Sequence, residues 1–348
     1  MRPLVRLGGV AALVVVLAAA GCSKKSNKDD SSTSSMKASQ VKIALVPGGA
    51  HPYFQPWKTA GAKAKTDFGL GDVAFNETSG LDQTKQNDVL TSMAAQGYNA
   101  FGIFGVAPEN INTTFDNLKK QGFHVGSLAS CPAGDTDEAD FCLSTDVQQA
   151  AYKAAKAAID AMGGSGNLVH LTGNKVDSNT QRRMAGVQQA VDETGGKVKL
   201  LDTITDIDTD LQTAQKAVAD ELAAKGKQIN GIVNTAYNPA VASAAAVKQS
   251  GLPIKVIAID DDPTIIQDIK DGSVAATVLQ NPVGQAYVGS YALMKLATGC
   301  TMAQPGVVID SGSFVVTKAN IDTYDNDRQA KTDSLKQDFD SKYLSCKK

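Results

Sequence analysis

Short apolar runs rich in β-branched residues alternate with longer segments of helical period along most of this chain, and this alternation limits its possible folds more than any other feature. Residues 256–259 are apolar at every position, as is typical of a strand buried on both faces of a parallel sheet. Because parallel strands need a returning helix between them, the alternation predicts an α/β fold with helices on both faces of each sheet.

The alternation runs once to about residue 145 and then starts again, which predicts two Rossmann-like lobes, each a parallel sheet flanked by helices. Strands are predicted at residues 41–46, 73–76, 100–104, 124–128, 167–171, 197–201, 231–234, 256–259 and 273–279. Helices are predicted at residues 55–68, 82–96, 109–121, 147–162, 179–193, 210–225 and 239–249.

The same pattern predicts the division of the chain into lobes. The first lobe is expected to hold residues 41–145 and 281–309, and the second residues 146–280 and 310–325. Three crossovers, near residues 145–146, 280–281 and 309–310, would form a three-segment hinge. Residues 326–348 are expected to form a polar C-terminal tail, with a weak helical period at 334–344.

The N-terminus has the pattern of an export signal. Two arginines precede an apolar run at residues 7–20, and Cys22 follows a glycine. This resembles a bacterial lipoprotein signal, in which Cys22 would carry the lipid and anchor the chain to the outer face of the cell membrane. Leucine is usual where Ala19 stands, and a plain secretory signal is the alternative; the run is short for a membrane span. Residues 23–40 are predicted to be a flexible tether.

Export would place the remaining cysteines in an oxidising compartment. Cys131, Cys142, Cys300 and Cys346 allow three pairings. We favour Cys131 with Cys142, which closes a short acidic loop and leaves Cys300 with Cys346; free thiols are the alternative. No Cys/His spacing typical of a metal site occurs, and the three histidines are far apart in sequence, so neither a metal nor a cofactor is expected.

Composition and motifs exclude several function classes. Thirty-four basic and 36 acidic residues nearly cancel, which gives no support to a nucleic-acid partner. The Gly-rich run at residues 163–166 lacks the Lys-Ser/Thr of a phosphate-binding loop. The carboxylates of Asp260 and Asp262 have no neighbouring nucleophile or base in sequence, so no enzyme activity is expected.

Polar residues follow two neighbouring predicted strands. The strand at 256–259 stops at Asp260, and the strand at 273–279 runs into Gln280. In open α/β sheets ligands bind beyond the carboxyl ends of the strands, so both side chains are candidate ligand contacts. The alternative is that they are ordinary caps, the role we assign to Asp262 at the start of the next helix.

An aromatic cluster follows the first predicted strand. His51, Tyr53, Phe54 and Trp57 fall within seven residues of a chain that has only 5% aromatic residues. Flat rings at a strand end could stack on the C–H groups of a sugar ring. The alternative is a cluster that closes the core at a helix start, and for Trp57 the sequence leaves the two roles equally open.

These motifs carry a family resemblance. Residues 41 to 316 resemble the ribose- and galactose-type periplasmic sugar-binding proteins, the type I solute-binding proteins of ABC importers. His51-Pro52-Tyr53-Phe54 stands where that family has an element like Asn-Pro-Phe-Phe, and Arg183-Met184-Ala185-Gly186 matches its Arg-x-x-Gly. Asp260 matches the aspartate that ends a V-x-G-F-D strand, and Gln280 matches the glutamine of A-T-x-x-Q-x-P.

The resemblance implies a ligand-binding cleft between the lobes. The implied ligand-binding residues are His51, Tyr53, Phe54, Trp57, Ser130, Asp146, Asn179, Arg183, Tyr237, Asn238, Asp260 and Gln280. The chain also departs from the family: Ala129-Ser130 replaces an Asp-Arg pair, Thr209 an aromatic residue and Ala236-Tyr237 an Asn-Asp pair. Two charged clamps and one stacking face are thus absent, so the resemblance does not imply ribose or glucose, and a shorter or acyclic polyol, or another sugar, would suit such a pocket.

The resemblance also implies a function. A ligand that touches both lobes would favour the closed state, and the closed receptor would dock on a membrane permease. We therefore expect a monomeric, lipid-anchored receptor that delivers a sugar or sugar alcohol to an ABC importer. A sensory protein that presents its ligand to a membrane kinase or chemoreceptor is the alternative. The signal sequence and the lack of a basic helix-turn-helix argue against a transcription regulator.

Overall fold

The computed structural model describes residues 36–134 and 136–346. The predicted signal peptide, the lipidation residue Cys22 and most of the predicted tether lie outside the described residues. The end of the tether sequence belongs to the fold, because a 3-10 helix forms at Ala38–Gln40 and Met36 packs against the core. No helix in the described part of the chain is both long and apolar enough to span a membrane.

Ten α-helices form in the described residues, and aspartates cap several of them. The side chains of Asp82, Asp146, Asp177, Asp210 and Asp262 each accept a backbone N–H from the following first turn. The helices are α1 (Gln55–Phe68), α2 (Gln83–Ala95), α3 (Ile111–Lys120), α4 (Val147–Ala161), α5 (Ser178–Asp192), α6 (Leu211–Lys225), α7 (Tyr237–Ser250), α8 (Pro263–Asp271), α9 (Pro282–Ala297) and α10 (Tyr324–Asp338).

The strands of the described residues form two six-stranded sheets and one small ribbon. They are β1 (Lys42–Val46), β2 (Asp72–Phe75), β3 (Ala100–Ile103), β4 (His124–Leu128), β5 (Phe141–Ser144), β6 (Gly166–Leu171), β7 (Val198–Ile204), β8 (Gly231–Asn234), β9 (Lys255–Ile259), β10 (Ala276–Leu279), β11 (Cys300–Met302), β12 (Val308–Asp310), β13 (Phe314–Val316) and β14 (Leu344–Cys346).

Each large sheet is the centre of one lobe. The first has the order β12-β5-β4-β3-β1-β2 and is parallel throughout. The second has the order β13-β10-β9-β8-β6-β7 and is parallel except for β13, which pairs antiparallel with β10. The predicted α/β fold with two lobes is confirmed, and the antiparallel edge strand is a feature that the sequence pattern did not indicate.

Helices cover both faces of both sheets. In the first lobe α1 and α9 pack on one face, with Trp57 and Leu293 in the core, and α2 and α3 on the other, with Leu90 and Phe115. In the second lobe α6, α7 and α8 cover one face, and α4 and α5 cover the other. Continuous apolar strands such as β9 are buried on both faces for this reason.

The chain passes between the lobes at three places. It leaves the first sheet after β5, returns after β10, and crosses again at residues 311–313 between β12 and β13. The third crossing comes after the predicted 309–310, because β12 extends to Asp310, which pairs with Ser144. Three short connections of this kind can act as a hinge between two lobes.

Both predicted disulfides are present. Cys131 is bonded to Cys142, and Cys300 to Cys346. The second bond joins the paired strands β11 and β14, neither of which was predicted. Each is only three residues long, and their pairing depends on a contact between distant parts of the chain.

The polar C-terminal segment is part of the first lobe. The sequence indicated a weak helical period at 334–344, whereas the structure places α10 at Tyr324–Asp338. Leu335, Phe339 and Leu344 bury their side chains in the same core as α9. These few apolar residues hold an otherwise polar segment against the lobe.

Candidate ligand-binding cleft

The segment between β1 and α1 forms one wall of a cleft between the lobes. His51 starts a short 3-10 helix at Pro52–Phe54, because its Nδ1 accepts the Tyr53 backbone N–H at 3.2 Å. This turn brings the Tyr53 and Phe54 rings to the carboxyl edge of the first sheet. The Phe54 ring centroid lies 5.0 Å from that of Phe104, which follows β3, so two strand ends supply a continuous apolar surface.

Trp57 lies in the core beneath this wall. Its side chain is 0% exposed, and its ring packs edge-on against Phe54 with centroids 5.2 Å apart. It does not line the cleft cavity. Of the two roles that the sequence left open for Trp57, its placement favours the core.

Asp260 and Gln280 form the base of the cleft at the ends of β9 and β10. The Gln280 amide donates to both carboxylate oxygens of Asp260, at 3.1 and 3.3 Å. The pKa of Asp260 is raised to about 7, mainly because the carboxyl is buried. The neighbouring charge of Asp261 contributes to this increase, whereas Gln280 and Arg183 reduce it. The two side chains that the sequence placed at neighbouring strand ends are therefore in contact.

The N-terminal part of α5 forms the opposite wall. Asp177 caps the helix, with its Oδ1 accepting the Asn179 backbone N–H at 2.9 Å. Asn179, Thr180 and Arg183 then face the cleft. Within the described residues, neither Thr180 Oγ1 nor Arg183 Nε has a hydrogen-bond partner, although both atoms are buried. Buried polar atoms are normally paired, so these two are candidate contacts for a ligand.

The lobes also touch each other across the cleft. His51 Nε2 lies 3.4 Å from Asp208 Oδ2; its Nδ1 accepts from Tyr53, so Nε2 carries the proton and can donate to this carboxylate. The Asn179 side chain donates to the Ala129 carbonyl at 3.2 Å. These contacts hold the lobes close in the structure described here.

The cavity between the lobes is partly open to solvent and has a volume of about 400 Å³. Eight of the twelve predicted residues line it: His51, Tyr53, Phe54, Asn179, Arg183, Tyr237, Asp260 and Gln280. The structure thus brings together residues that are spread over more than two hundred positions of sequence, from both lobes.

Besides Trp57, three predicted residues do not line the cavity. Ser130 is buried behind Ala129, and its carbonyl accepts a hydrogen bond from Ser127. Asp146 lies at the first crossover, where it caps α4 and binds Arg182 at 3.2 Å. Asn238 is buried behind the wall, and its backbone N–H donates to Asp208 Oδ1 at 2.8 Å.

Residues with an unusual backbone conformation line the same cavity. Of the described residues other than glycine, four have left-handed backbone angles: Leu81, Ala129, Asp206 and Asp260, with φ between 59° and 64°. All four line the cavity. Such angles cost free energy for a residue with a Cβ and cluster at functional sites, so their coincidence with the cavity is independent support for a binding role.

Several lining residues were not predicted. They are Leu81, Phe104, Val106, Ala129, Gly173, Asn174, Asp177, Thr180, Asp206, Asp208, Thr209, Thr235 and Ala236. The rule that pointed to Asp260 would also have pointed to Phe104, Asp206 and Asp208, which follow the ends of β3 and β7. Nothing in the local sequence marks Thr180, whose role depends on how α5 packs.

Known proteins share this fold. The family profile described as "Periplasmic binding protein domain" matches residues 43–301, so the chain belongs to this family. Three similar solved structures, all with about a fifth of their residues identical, are ABC transporter solute-binding proteins.

The first of these, from Burkholderia graminis in complex with D-arabinose, has a TM-score of 0.74 at 21% identity and covers 83% of this chain and 99% of its own. The second, from Actinobacillus succinogenes with bound D-allose, has a TM-score of 0.72 at 21% identity and covers 82% and 100%. The third, from Agrobacterium vitis with α-D-tagatopyranose, has a TM-score of 0.73 at 20% identity and covers 83% and 98%. At this identity the likeness describes the fold.

Proposed function

We propose that this protein is the substrate-binding component of an ABC importer and that it takes a sugar or sugar alcohol into the cleft between its lobes. One observation carries the proposal: aromatic rings from one lobe and Asp260, Gln280 and Arg183 from the other line one cavity at the carboxyl edges of both sheets. Rings can stack on the C–H face of a sugar, while planar polar side chains can bind its hydroxyl groups.

The size of the cavity supports a small ligand. A volume of about 400 Å³ lies near the lower end of the range for small-molecule pockets and suits a single sugar ring or a short polyol with a few waters. The names of the similar proteins, which include complexes with D-arabinose, D-allose and tagatose, favour the same ligand class.

The proposed mechanism is binding and closure, without bond chemistry. Ligand bound to the walls of both lobes would stabilise the closed state by its differential contacts, and the closed receptor would present itself to the permease. We propose that the protein acts as a monomer, since each chain contains the whole cleft.

A thermal-shift screen across sugars and sugar alcohols tests the proposal. A ligand at 100 times its Kd adds about 2.7 kcal/mol to the free energy of unfolding, which raises the melting temperature by a few degrees. The proposal predicts a clear shift for at least one compound, confirmed by calorimetry. If no sugar or polyol at millimolar concentration shifts the melting temperature, the proposed function is wrong.

We further propose that Cys22 carries a lipid that anchors the receptor outside the cell membrane. The supporting observation is the sequence of the export signal, which ends at this cysteine. In the native bacterium, Cys22→Ala should appear in the soluble fraction or medium, while Ser23→Ala should remain with the membranes. A Cys22→Ala protein that stays membrane-bound after its signal is removed would contradict the anchor.

A further inference from the structure

The cavity carries more negative charge than recognition of neutral hydroxyl groups requires. Four carboxylates line it, those of Asp177, Asp206, Asp208 and Asp260. The guanidinium of Arg183 is the one Lys or Arg group among the described lining residues. Outside the lining, Lys175 donates its backbone N–H to Asp206, which lowers the pKa of that exposed carboxyl, and the Lys175 ammonium group helps to lower it; His51 faces Asp208. The carboxylates therefore outnumber the cationic groups that face them.

Hydrogen bonds from neutral donors hold three of these carboxyl groups in place. Burial raises the pKa of Asp177 and raises that of Asp260 to about 7, so a ligand ammonium group beside them would stabilise their ionised form. Asp177 and Asp208 accept backbone N–H groups from the first turns of α5 and α7, at 2.9 and 2.8 Å. Asp260 accepts the Gln280 amide. Helix N-termini supply only about half a positive charge each, so capping leaves a net negative field inside the cavity.

Aromatic rings add to this preference. Five ring side chains line the cavity: His51, Tyr53, Phe54, Phe104 and Tyr237. Adjacent centroids lie 5.2 Å apart for Tyr53 and Phe54 and 5.9 Å apart for His51 and Tyr237. The faces of Tyr and Phe rings attract cations, and this attraction is stronger where the lobes shield the bound cation from water.

A separate observation indicates that the ligand also bears oxygen atoms. Thr180 is 0% exposed and lines the cavity, and its hydroxyl has no hydrogen-bond partner in the described part of the chain. Arg183 Nε, a donor that cannot accept, is also without a partner there. Together they match a ligand that offers hydroxyl groups as donors and acceptors.

We infer that the cleft binds an amine-bearing polyhydroxy ligand, an amino sugar or an aminocyclitol, more tightly than the neutral compound of the same shape. The inference rests on the proposed function and narrows its ligand class. The ammonium group would lie among the carboxylates and rings, and the hydroxyl groups would bind Thr180, Arg183 and Gln280. A ligand with a carboxylate or phosphate would be rejected, because its charge would repel the carboxylates of the cavity.

Calorimetry with matched sets of ligands tests the inference. Each set contains a neutral compound, its amine and its acid, such as glucose, glucosamine and glucuronic acid, with corresponding sets on galactose and an inositol. In at least one set the amine should bind at least tenfold more tightly than the neutral member, and the acid should show no measurable binding. If neutral members bind as tightly as their amines, the inference is wrong while the proposed function stands. If no member of any set binds although another sugar or polyol binds in the thermal-shift screen, the inference is wrong and the proposed function stands; if no sugar or polyol binds in either experiment, both fail.

Charge-neutral variants separate charge from shape. Asparagine caps helices about as well as aspartate, so Asp177→Asn should fold. Asp208→Asn keeps a side-chain oxygen that can accept the Asn238 backbone N–H, so it should fold as well. Each should weaken binding of the amine at least tenfold and of the neutral compound less than threefold. Asp210→Asn is the matched control, because Asp210 caps α6 without lining the cavity, and both ligands should bind it as they bind the parent protein. Equal losses for amine and neutral ligand in the cavity variants would contradict the inference.

Discussion

At the scale of single residues, Asp260 combines the features of a binding residue. It is 6% exposed and adopts a left-handed backbone with φ of 61°. Thr277 Oγ1 donates to its carbonyl at 2.7 Å, and its own N–H donates to the Val278 carbonyl at 3.0 Å. These bonds stabilise a backbone conformation that costs free energy. At Asp260 the backbone leaves the strand, and the carboxylate lines the cleft.

We predict that Asp260→Ala and Arg183→Ala each weaken ligand binding at least tenfold. Removing either partner leaves ligand groups without a partner in a closed cleft, at roughly 1–3 kcal/mol, and about 1.4 kcal/mol corresponds to one decade of affinity. Calorimetry with a ligand found in the screen measures the loss.

The control for this experiment is Asp210→Ala, which removes the cap of α6 away from the cavity. Asp262, predicted to be a simple cap, accepts the Thr264 N–H as expected, but it also accepts the hydroxyl of the cleft residue Tyr237 at 3.0 Å. Asp262 is therefore unsuitable as a control, because its substitution would also remove the partner of a cleft residue. Unchanged affinity in Asp260→Ala would remove this residue from the site.

The raised pKa of Asp260 predicts a pH-dependent stability in the free protein. With a pKa of about 7 when folded and 3.8 as its ordinary value, Asp260 binds more proton in the native state between these limits. The free energy of unfolding therefore falls as pH rises through this window. This decrease is absent in Asp260→Asn. The free energy of unfolding of the variant, relative to that of the parent, should therefore rise by roughly 2 kcal/mol between pH 5 and pH 8, as measured by urea unfolding.

The control for the pH experiment is Asp271→Asn. The hydroxyl of Ser273 and the ammonium group of Lys248 lower the pKa of Asp271 to about 2, so it is ionised in both states throughout this range. The difference in the free energy of unfolding between Asp271→Asn and the parent protein should therefore be independent of pH. A flat difference for Asp260→Asn as well would show that its buried carboxylate does not have a raised pKa.

At the scale of elements, α5 is held in position by direct packing of its backbone on α4. A Cβ on Gly186 would collide with the carbonyl oxygen of Gln148 in α4, so only glycine allows this approach. Arg183 lies one turn earlier on the same helix. In the Arg-x-x-Gly motif, Arg183 therefore lines the cleft, and Gly186 allows the close packing that positions its helix.

We predict that Gly186→Ala destabilises the protein. In an exposed helix this change stabilises by about 1 kcal/mol, whereas here the helices must separate, at a cost of about 1–3 kcal/mol. Urea unfolding measures the change, and Gln188→Ala on the exposed side of α5 should be within about 0.5 kcal/mol of the parent. A stabilising effect of Gly186→Ala would contradict the close packing.

At the scale of the whole molecule, a buried hydrogen-bond network joins the cleft to the hinge. Gln285 of α9 is 0% exposed and accepts the Tyr53 hydroxyl at 2.8 Å. Its amide donates to Thr145 Oγ1 at 3.3 Å and Ser311 Oγ at 3.1 Å, in two different crossovers. Asn281, in the remaining crossover, donates to the Ser311 carbonyl at 3.1 Å. A ring that lines the cleft is therefore linked to all three connections between the lobes.

We predict that Gln285→Leu lowers both stability and affinity. It leaves Tyr53 and the two hinge hydroxyls without this partner, at a cost of roughly 1–3 kcal/mol, and should weaken ligand binding several-fold. The matched control is Ser290→Ala on the same helix, since Ser290 is equally buried and its hydroxyl has no partner among the described residues. Urea unfolding and calorimetry compare them; equal effects of both variants would argue against the network.

Local patterns in the sequence determined most of the elements and the class of fold. The segments β4, β8 and α1 form at the residues predicted, because apolar period and capping residues act within a few positions of each other. The strand-end rule and the family resemblance together indicated eight of the residues that line the cavity. The disulfide layout also followed from spacing, since the short loop favours its own closure.

Only the tertiary structure decided which polar and aromatic groups face the cavity. Trp57 and Phe54 are three residues apart and pack against each other in the same core, yet only Phe54 also lines the cavity, because Trp57 lies beneath it and is covered by it. Thr180 reaches the cavity through the packing of α5 on α4, and β11 and β14 exist only because distant segments meet. Such placements depend on contacts between residues far apart in the chain, whereas sequence patterns report the preferences of neighbours.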